Sequence, residues 1–351
     1  MAIKTLAVKY RPTTFNDVVE QNNIKIILQQ QLEANEVKNA YLFVGGAGTG
    51  KTTCARIFAN EINHGEGNPI EMDAASNSGV EDVRNITQQA KTKALDSEYK
   101  IFIIDECHAI SNTGWQAFLK LIEEPPAKSI FIFCTTDPQK IPKTILSRVQ
   151  RYDFQRISQQ GIVNRLDTIL ENERSEDDAH DIEALEYIAK IADGGMRDAI
   201  SLMDKCLAYS SELTLENVVK ALGTVDYDIM FRLTKSLLQG EALNIMSIIE
   251  SVHIEGKDLK QFMRQYCQFV LDLNKYAIGC SWDKLNIPKL PEYVEIVDTM
   301  HIGGDGVFDI LDALINLNSE IKWSTSVKYD IEAKLLLFCL GGGADDRSRA
   351  D

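Results

Sequence analysis

Apolar and polar positions follow two different patterns, one before and one after about residue 158. In the first part, short apolar runs rich in β-branched and aromatic residues alternate with helical patterns. The strands predicted from these runs are Tyr41–Val44, Ile70–Asp73, Tyr99–Asp105, Ser129–Thr135 and Val149–Phe154. Such alternation favours a parallel five-stranded sheet with flanking helices.

The runs Ile101–Ile104 and Ile130–Phe133 are apolar at every position, as expected for strands that are buried on both faces. After residue 158 the strand pattern disappears, and apolar residues recur at helical spacing, as in Ile182, Leu185 and Ile188. The sequence therefore predicts an α/β domain followed by all-α domains.

Breaks in the pattern give the domain boundaries. We predict an α/β domain at 1–158, a small helical domain at 159–223 and a second helical domain at 224–340. Gly223-Thr224 marks the second boundary, because it follows the helical run Val218–Leu222. Residues 341–351 are rich in glycine and charge, which predicts a disordered tail.

Composition is that of a soluble globular protein, with 44% hydrophobic and 25% charged residues. No run approaches the roughly 18 apolar residues of a membrane span. The residues before Arg11-Pro12 leave no room for the apolar core of a secretory signal. We therefore expect a cytoplasmic protein without a membrane partner.

The net charge of −15 would disfavour nucleic acid as a partner if it were spread evenly. Basic and acidic residues balance in the first 160 residues, however, so the acidic excess lies beyond them. A neutral domain can bind phosphates locally through helix amino termini and a few basic side chains. The charge thus excludes only a protein coated in DNA-binding residues.

A G-x-x-x-x-G-K-T pattern follows the first predicted strand and opens a helix, which is the context of a phosphate-binding loop. The predicted nucleotide-binding residues are Gly45, Gly46, Ala47, Gly48, Thr49, Gly50, Lys51, Thr52 and Thr53. Lys51 would reach the β- and γ-phosphate oxygens, and Thr52 would offer its hydroxyl to Mg²⁺. A glycine-rich turn with a chance lysine is the alternative, which the strand, loop and helix in sequence disfavour.

A second cluster follows the buried run Ile101–Ile104. Asp105 and Glu106 would lie at the carboxyl end of a strand, where α/β sheets bind ligands. We expect Asp105 to hold Mg²⁺ through water and Glu106 to polarise the water that attacks the γ-phosphate. A solvated turn is the alternative for this pair.

Three further residues near these strands carry weaker signals. Thr135 and Thr136 end the next strand, so a hydroxyl there could face the γ-phosphate or could merely cap the turn at Asp137-Pro138. His108 has no partner at a suitable spacing, and we assign it no role.

The seven cysteines contain no C-x-x-C pair. This argues against a zinc knuckle and against a paired disulfide framework. We expect reduced, isolated thiols in hydrophobic surroundings.

Several stretches in the first 200 residues occur in the order typical of one family. They are Tyr10-Arg11-Pro12 with Phe15 and Asp17-Val18-Val19, Asp73–Ser76 with Val80-Glu81-Asp82, Phe118-Leu119-Lys120 with Glu123–Pro126, Thr135–Lys140, Leu146-Ser147-Arg148 and Gly195–Ala199. With them the chain resembles the ATPase subunits of bacterial replicative clamp loaders, the gamma/tau family of DNA polymerase III. The resemblance is weaker beyond residue 224.

The resemblance implies an AAA+ module, in which a P-loop domain is followed by an all-α lid and an all-α collar that forms an oligomer. The implied ligands are ATP and Mg²⁺. The implied partners are the other subunits of a pentameric hetero-oligomer, the sliding clamp and primer–template DNA. The implied activity is ATP hydrolysis that opens the clamp and releases it on primed DNA during replication.

The resemblance also assigns roles to residues. Arg148, in Ser147-Arg148-Val149, would act in trans on the ATP of a neighbouring subunit, although the family has cysteine where Val149 stands. Arg197 would be the lid arginine and Thr136 the sensor on the fourth strand, both responding to the γ-phosphate. The adenine-side wall would be formed by Tyr10, Arg11, Pro12, Val18 and Val19.

The chain departs from the family in three places. Typical bacterial members carry a four-cysteine zinc module where this chain has the loop Glu61–Asn68, so we expect no zinc. The chain ends after the collar, as expected of a short form. Asn77, Ser78 and Gly79 stand where the family has basic contacts to DNA.

Two other functions stay open from the sequence. One is another DNA-processing AAA+ ATPase, such as a Holliday-junction motor or a helicase loader. The other is a non-hydrolysing scaffold subunit of the same complex. Lys51, Thr52, Asp105 and Glu106 argue against a scaffold, which has no chemical need for all four.

Overall fold

The structure is a computed structural model that describes residues 5–77, 79–173, 180–223, 227–300 and 305–341. The chain divides into two units, Met1–Leu213 and Thr214–Asp351. Only one boundary is placed by this division, so the three domains predicted from the sequence stay a prediction. The predicted tail lies outside the described residues except for Gly341, which ends the last helix.

A five-stranded parallel sheet forms the centre of the first unit, in the order β2-β3-β4-β1-β5. The strands are β1 (Ala40–Val44), β2 (Ile70–Asp73), β3 (Lys100–Asp105), β4 (Ser129–Thr135) and β5 (Gln150–Asp153). Each end lies within one residue of its predicted position. The predicted fold class, an α/β domain with a parallel sheet followed by helical regions, is confirmed.

The helices of the sheet domain are short or amphipathic. They are α1 (Leu6–Lys9), α2 (Asn22–Glu33), α3 (Lys51–Ile62), α4 (Val80–Ala90), α5 (Asn112–Glu123) and α6 (Lys143–Leu146). Single 3-10 turns occur at Phe15–Asp17, Cys107–Ala109 and Pro138–Lys140.

Helices cover both faces of the sheet. Alternate residues of each strand point to opposite faces, so each strand contributes to both core clusters. Leu42, Phe102 and Phe131 pack with α4 and α5 in one core cluster. Their neighbours Tyr41 and Ile103 belong to the cluster on the other face, with α2 and α3. Continuously apolar strands are thus explained by burial on both sides.

Three helices follow β5 within the first unit: α7 (Gln159–Glu173), α8 (Ile182–Ile191) and α9 (Met196–Tyr209). We call them the lid helices. They pack against one another through buried residues such as Leu166, Ile188 and Met203. The N-terminal helix α1 packs on α9, and the Leu6 N–H donates to Asp204 Oδ2 at 3.2 Å.

The described secondary structure of the second unit is helical. The helices are α10 (Leu215–Leu222), α11 (Tyr227–Leu238), α12 (Ala242–Ile254), α13 (Leu259–Ala277), α14 (Pro291–Thr299), α15 (Asp305–Ile321) and α16 (Val327–Gly341). A 3-10 turn covers Trp282–Lys284. Buried side chains including Met230, Ile249, Tyr266 and Leu314 form the core of this unit.

Candidate nucleotide-binding site

The carboxyl ends of three neighbouring strands meet at one edge of the sheet. Val44 at the end of β1 pairs with Thr135 at the end of β4, and Ile104 of β3 pairs with Phe133 of β4. The loops that follow these strands carry the predicted phosphate and metal ligands. Parallel register therefore brings residues distant in sequence to one place.

The loop after β1 is held to the sheet before it enters α3. The Gly45 N–H donates to the Thr135 carbonyl oxygen at 3.2 Å, and the Thr49 hydroxyl donates to the Gly46 carbonyl oxygen at 2.9 Å. Gly50 adopts φ 100°, and α3 begins at Lys51. The amino terminus of a 12-residue helix therefore faces the loop, which suits an anion.

Lys51 is the buried cation of the site, with only 6% of the residue exposed. Its ammonium donates to the carbonyl oxygens of Gly45 at 2.9 Å and Gly46 at 2.7 Å. Burial lowers the pKa of Lys51, while the neighbouring carboxylates of Asp105 and Glu106 oppose this change. A charge that has already lost much of its water can interact strongly with a phosphate.

Thr52 and Asp105, the two predicted Mg²⁺ ligands, are in contact. The Thr52 hydroxyl donates to Asp105 Oδ2 at 2.8 Å, and Asp105 Oδ1 accepts the Glu106 N–H at 3.0 Å. The proton of Thr52 thus points at the carboxylate and leaves the oxygen lone pairs for a cation. Hydroxyl and carboxylate oxygens are the donors that Mg²⁺ prefers, so these residues fit the ion.

Glu106 is held by two side chains from the adjacent elements. Its Oε2 accepts the Thr136 hydroxyl at 3.0 Å and lies 3.2 Å from His108 Nδ1. His108 Nδ1 is also 3.2 Å from the Thr135 hydroxyl. The sequence offers no partner for His108 at a suitable spacing, so we assign it no role there. Its proximity to Glu106 depends on the turn after β3.

A cavity of about 340 Å³ opens beside these residues, within the size range of small-molecule sites. It is lined by Ala7, Tyr10, Arg11, Pro12, Asp17, Val18, Val19, Gly48, Thr49, Gly50, Lys51, Thr52, Thr53, Arg56, Asp105, Ile157, Arg165, Met196, Arg197 and Ile200. The structure thus brings the predicted adenine-side residues, much of the P-loop and the predicted lid arginine to one cavity.

The sequence did not indicate the whole lining. Arg56 and Arg165 are charged residues of the cavity that no motif singled out, and Asp17 belongs to a family stretch but was assigned no role. Arg165 donates to the carbonyl oxygen of Tyr10 at 3.2 Å, although the two are far apart in sequence. Contacts of this kind depend on the packing of the lid helices and have no local signal.

The segment around Tyr10 is attached to helix α7. Both Lys9 Nζ and the Tyr10 hydroxyl donate to Glu173 Oε1. Burial and the bond to Glu173 raise the pKa of Tyr10 to about 12. The hydroxyl therefore stays protonated at neutral pH and remains a donor that holds this wall of the cavity to the lid.

The lid helices also contact the P-loop directly. The Met196 N–H at the start of α9 donates to the Gly48 carbonyl oxygen at 3.0 Å. A Cβ atom at Gly48 would lie 2.9 Å from the Cα of Gly195, and Gly48 adopts φ +69°. Only glycine fits there without a shift of backbone.

Arg148 lies apart from the cavity lining. Its guanidinium bonds Glu123 Oε1 at 2.9 Å and the Thr144 carbonyl oxygen at 2.8 Å, with 40% of its side chain exposed. The structure therefore does not bring Arg148 to the nucleotide site of its own chain. Its predicted action on a neighbouring subunit stays a prediction.

Three other predictions concern a metal site, the DNA-contact positions and membrane-spanning helices. Among the described residues, no group of three or more His, Cys, Asp or Glu side chains is placed to hold a metal ion. Of Asn77, Ser78 and Gly79, the residue Ser78 lies outside the described residues. Within the described ranges, none of the helices combines the length and apolar content needed to cross a bilayer.

Two family models match adjacent parts of the first unit. Residues 63–158 match the model described as DNA polymerase III, delta subunit. Residues 161–212 match the model of the ATPase lid domain of the DNA polymerase III clamp loader subunit. The second match covers the lid helices that line the cavity.

Curated relatives carry related names. DNA polymerase III subunit tau of Bacillus subtilis is 33% identical over 97% of this chain and 64% of its own length. The tau subunit of Escherichia coli is 34% identical over 73% of this chain and 43% of its own length. The tau/gamma subunit of Haemophilus influenzae is 37% identical over 72% of this chain and 39% of its own length. The chain spans less than two thirds of the length of these relatives.

Solved structures share the fold at lower identity. A mutant of RuvB from Thermotoga maritima superposes with a TM-score of 0.52 and 19% identity, covering 66% of this chain and 80% of that one. The structure titled RuvB Holliday junction branch migration motor, from the same organism, superposes with a TM-score of 0.50 and 20% identity. The match covers 65% of this chain and 79% of that one. At such identity the likeness shows the fold alone.

Proposed function

The chain belongs to the family of DNA polymerase III tau and gamma/tau subunits, and on this premise we propose that it is an ATP-hydrolysing motor subunit of a DNA sliding-clamp loader. ATP binding would favour an assembly that holds the clamp open, and hydrolysis would release the clamp on primed DNA. The observation that carries the proposal is the cavity in which Lys51, Asp105 and the lid residue Arg197 face one space.

The proposed nucleotide pose follows from the chemistry of the lining. The phosphates would lie at the amino terminus of α3, where Lys51 exchanges its contacts to Gly45 and Gly46 for phosphate oxygens. The adenine would lie toward Val18 and Val19. Thr52, with Asp105 behind it, would hold Mg²⁺, which supplies charge neutralisation on the phosphates when bound.

Glu106 is the proposed general base. In the structure its Oε2 is occupied by Thr136 and lies beside His108, and no bond to Oε1 was found among the described residues. A carboxylate held in this way can accept the proton of an attacking water while its orientation stays defined. Thr136 would thus orient Glu106 as well as respond to the γ-phosphate.

Assembly would complete the site. Arg148 is exposed, and the described residues bind its guanidinium through one ion pair and carbonyl and hydroxyl contacts, so a neighbouring γ-phosphate could attract it. The proposed partners are the other subunits of a pentameric clamp loader, the sliding clamp and primer–template DNA. The bacterial relatives support a cytoplasmic place of action.

Two alternatives make different demands on the same residues. A Holliday-junction motor is suggested by the RuvB likeness, but that likeness shows only the fold, whereas the lid matches a clamp-loader model. A non-hydrolysing scaffold would not need the contacts that join Thr52 to Asp105 and Thr136 to Glu106. Both observations favour the clamp-loader motor.

The test is steady-state ATPase activity of the chain assembled with its partner subunits, measured with and without sliding clamp and primed DNA. We expect stimulation only when clamp and primed DNA are both present. Lys51→Ala should abolish the activity by removing the phosphate-binding charge. Stimulation by branched DNA without clamp would favour the junction motor, and wild-type assembly without any ATPase would favour the scaffold.

A further inference from the structure

Glu20 and Gln21 form an unusual piece of backbone between the cavity wall and α2. Their φ angles are 56° and 51°, which lie in the left-handed region that residues other than glycine rarely occupy. Two such residues in succession cost conformational free energy. Residues of this kind persist where the surrounding contacts determine them, and they cluster at functional sites.

The side chain of Gln21 explains its conformation. It is 8% exposed, and its amide bonds both main-chain groups of Gln155. Its Nε2 donates to the Gln155 carbonyl oxygen at 2.7 Å, and its Oε1 accepts the Gln155 N–H at 3.1 Å. The same Nε2 lies 3.5 Å from the carbonyl oxygen of Thr49 in the P-loop.

The side chain of Glu20 acts on the next residues of the same connection. Its carboxylate accepts the Ser158 N–H at 3.2 and 3.1 Å and also the Ser158 hydroxyl. A Cβ at Gly161 would lie 2.6 Å from Glu20 Oε1, so the carboxylate is packed on the first turn of α7. A negative charge at a helix amino terminus is stabilising there.

Residues 154–158 are the covalent connection from β5 to the lid helix α7. We call the segment the hinge. Its Ile157 lines the cavity and donates its N–H to the Gly194 carbonyl oxygen at 3.2 Å, next to the start of α9. On the other side of Glu20 and Gln21, Val18 and Val19 line the cavity too.

We infer that Glu20 and Gln21 are positioning residues that hold the hinge against the nucleotide cavity and thereby set the lid position in which Arg197 faces the γ-phosphate. The inference rests on the proposed function, since it needs ATP in the cavity. It adds two residues that are outside the cavity lining. They act through the main chain of Gln155 and Ser158.

A consequence distinguishes positioning from simple support of the fold. ATP and ADP share the base and two phosphates, and only ATP offers a γ-phosphate to Arg197. Loss of the lid position should therefore weaken ATP more than ADP. General destabilisation of the domain should weaken both nucleotides alike.

The first test is Gln21→Glu, which keeps the shape of the side chain but removes the two N–H donors of its amide. The new carboxylate would face the carbonyl oxygens of Gln155 and Thr49. Affinities for a slowly hydrolysed ATP analogue and for ADP are measured by calorimetry on the full chain. We expect the preference for the ATP analogue over ADP to fall about tenfold, the scale of one buried unpaired group. Hydrogen exchange at the hinge and first turn of α7 should rise.

Gln31→Glu is the matched control. Gln31 lies on α2 and donates to Gln150 Oε1 at 3.0 Å and the Tyr152 hydroxyl at 3.2 Å, so it links α2 to β5 away from the hinge. The same chemical change there should lower the melting temperature and leave the nucleotide preference within about twofold of wild type, since its contacts are outside the lining.

A second variant covers the case in which Gln21→Glu does not fold. Glu20→Gly removes the carboxylate but relieves the left-handed backbone, so the domain should stay folded. We expect it to lower the nucleotide preference by a smaller factor and to increase exchange in α7. Glu20→Gln, which keeps a hydrogen-bond acceptor, should recover part of the preference.

The outcomes separate the inference from the proposed function. If wild type binds ATP but Glu20→Gly and Gln21→Glu change the preference no more than Gln31→Glu does, the positioning role is wrong and the ATPase proposal stands. If wild type binds neither nucleotide, the proposed function is wrong, and the positioning role is wrong with it.

Discussion

The nucleotide edge of the sheet and the surface that carries Arg148 differ in how far this chain completes them. At the edge, Lys51 is buried and Thr52, Asp105, Glu106 and Thr136 are linked by hydrogen bonds within the chain. Arg148 is exposed and held through Glu123, an ion pair of a kind worth about 0–1 kcal/mol. The first region is organised before any partner binds, whereas the second can change partner at little cost.

The largest expected effect tests whether the two regions belong to one active site across a subunit boundary. Arg148→Ala should leave nucleotide affinity near wild type, because Arg148 is outside the cavity lining of its own chain. It should lower clamp- and DNA-stimulated ATPase activity by about 10³-fold or more, the contribution of trans arginines in phosphoryl transfer. Binding by calorimetry and turnover of the assembled complex measure the two quantities separately.

A mixing experiment distinguishes action in trans from action in cis. A Lys51→Ala chain can still donate its arginine, and an Arg148→Ala chain can still bind ATP. Complexes that contain both should recover part of the hydrolysis that each lacks alone. The trans role is wrong if co-assembly is demonstrated and mixing restores nothing, or if Arg148→Ala alone keeps full turnover.

A smaller effect is expected within the nucleotide edge. Glu106→Gln keeps the shape and an acceptor for Thr136 but removes the charge that accepts a proton from water. ATP affinity should be retained, and turnover should fall by about 10²-fold, the lower end of the range of general base catalysis. Single-turnover hydrolysis measures the step directly. Hydrolysis at the wild-type rate in the assembled complex would show that another residue is the base.

The contrast between the regions matches what could be predicted from sequence. The ends of β3 and β4 lie within one residue of their predicted positions, because both strands are apolar at every central position and buried on both faces. The P-loop and the Asp105-Glu106 pair depend on local order along the chain: strand, loop, helix. Such features are determined by contiguous residues and can be predicted from them. The parallel register of the strands then brings the two motifs close together.

Contacts between distant segments could not be predicted in this way. Glu173 meets Tyr10, and Glu123 meets Arg148, only because helices pack in particular orientations. The left-handed backbone at Glu20 and Gln21 was also missed, since the residue types give no hint of positive φ. Its cause is the hinge, which lies more than a hundred residues further along the chain.

A few-fold effect is expected from loosening the Arg148 surface without removing the arginine. Glu123→Gln abolishes the ion pair and leaves the guanidinium with its bonds to Thr144 and Ser147, so a neighbour can attract it more easily. Because exposed pairs contribute about 1 kcal/mol at most, stimulated hydrolysis at limiting protein concentration should rise no more than about fivefold. Glu124→Gln, at the adjacent exposed position, is the matched control and should have no effect. A fall in activity would show that Glu123 helps to place Arg148 in the assembly.

The smallest expected effect concerns the cysteines behind the nucleotide edge. Cys54, Cys107 and Cys134 are buried in the first unit, and all seven cysteines are free. Burial raises the pKa of Cys54 to about 12 and raises those of Cys107 and Cys134 as well. Zinc binds thiolates, which these environments disfavour at neutral pH.

We therefore expect no stoichiometric zinc in the purified protein, by elemental analysis, and no change in melting temperature when a chelator is added. The control is protein refolded with added zinc, which should have the same melting temperature, because a metal that binds only the native state stabilises it by mass action. One tightly held zinc per chain, together with a lower melting temperature after chelation, would contradict the prediction. It would mean that a zinc ion stabilises the nucleotide edge. Its ligands would come from residues that meet in a way the described contacts do not show.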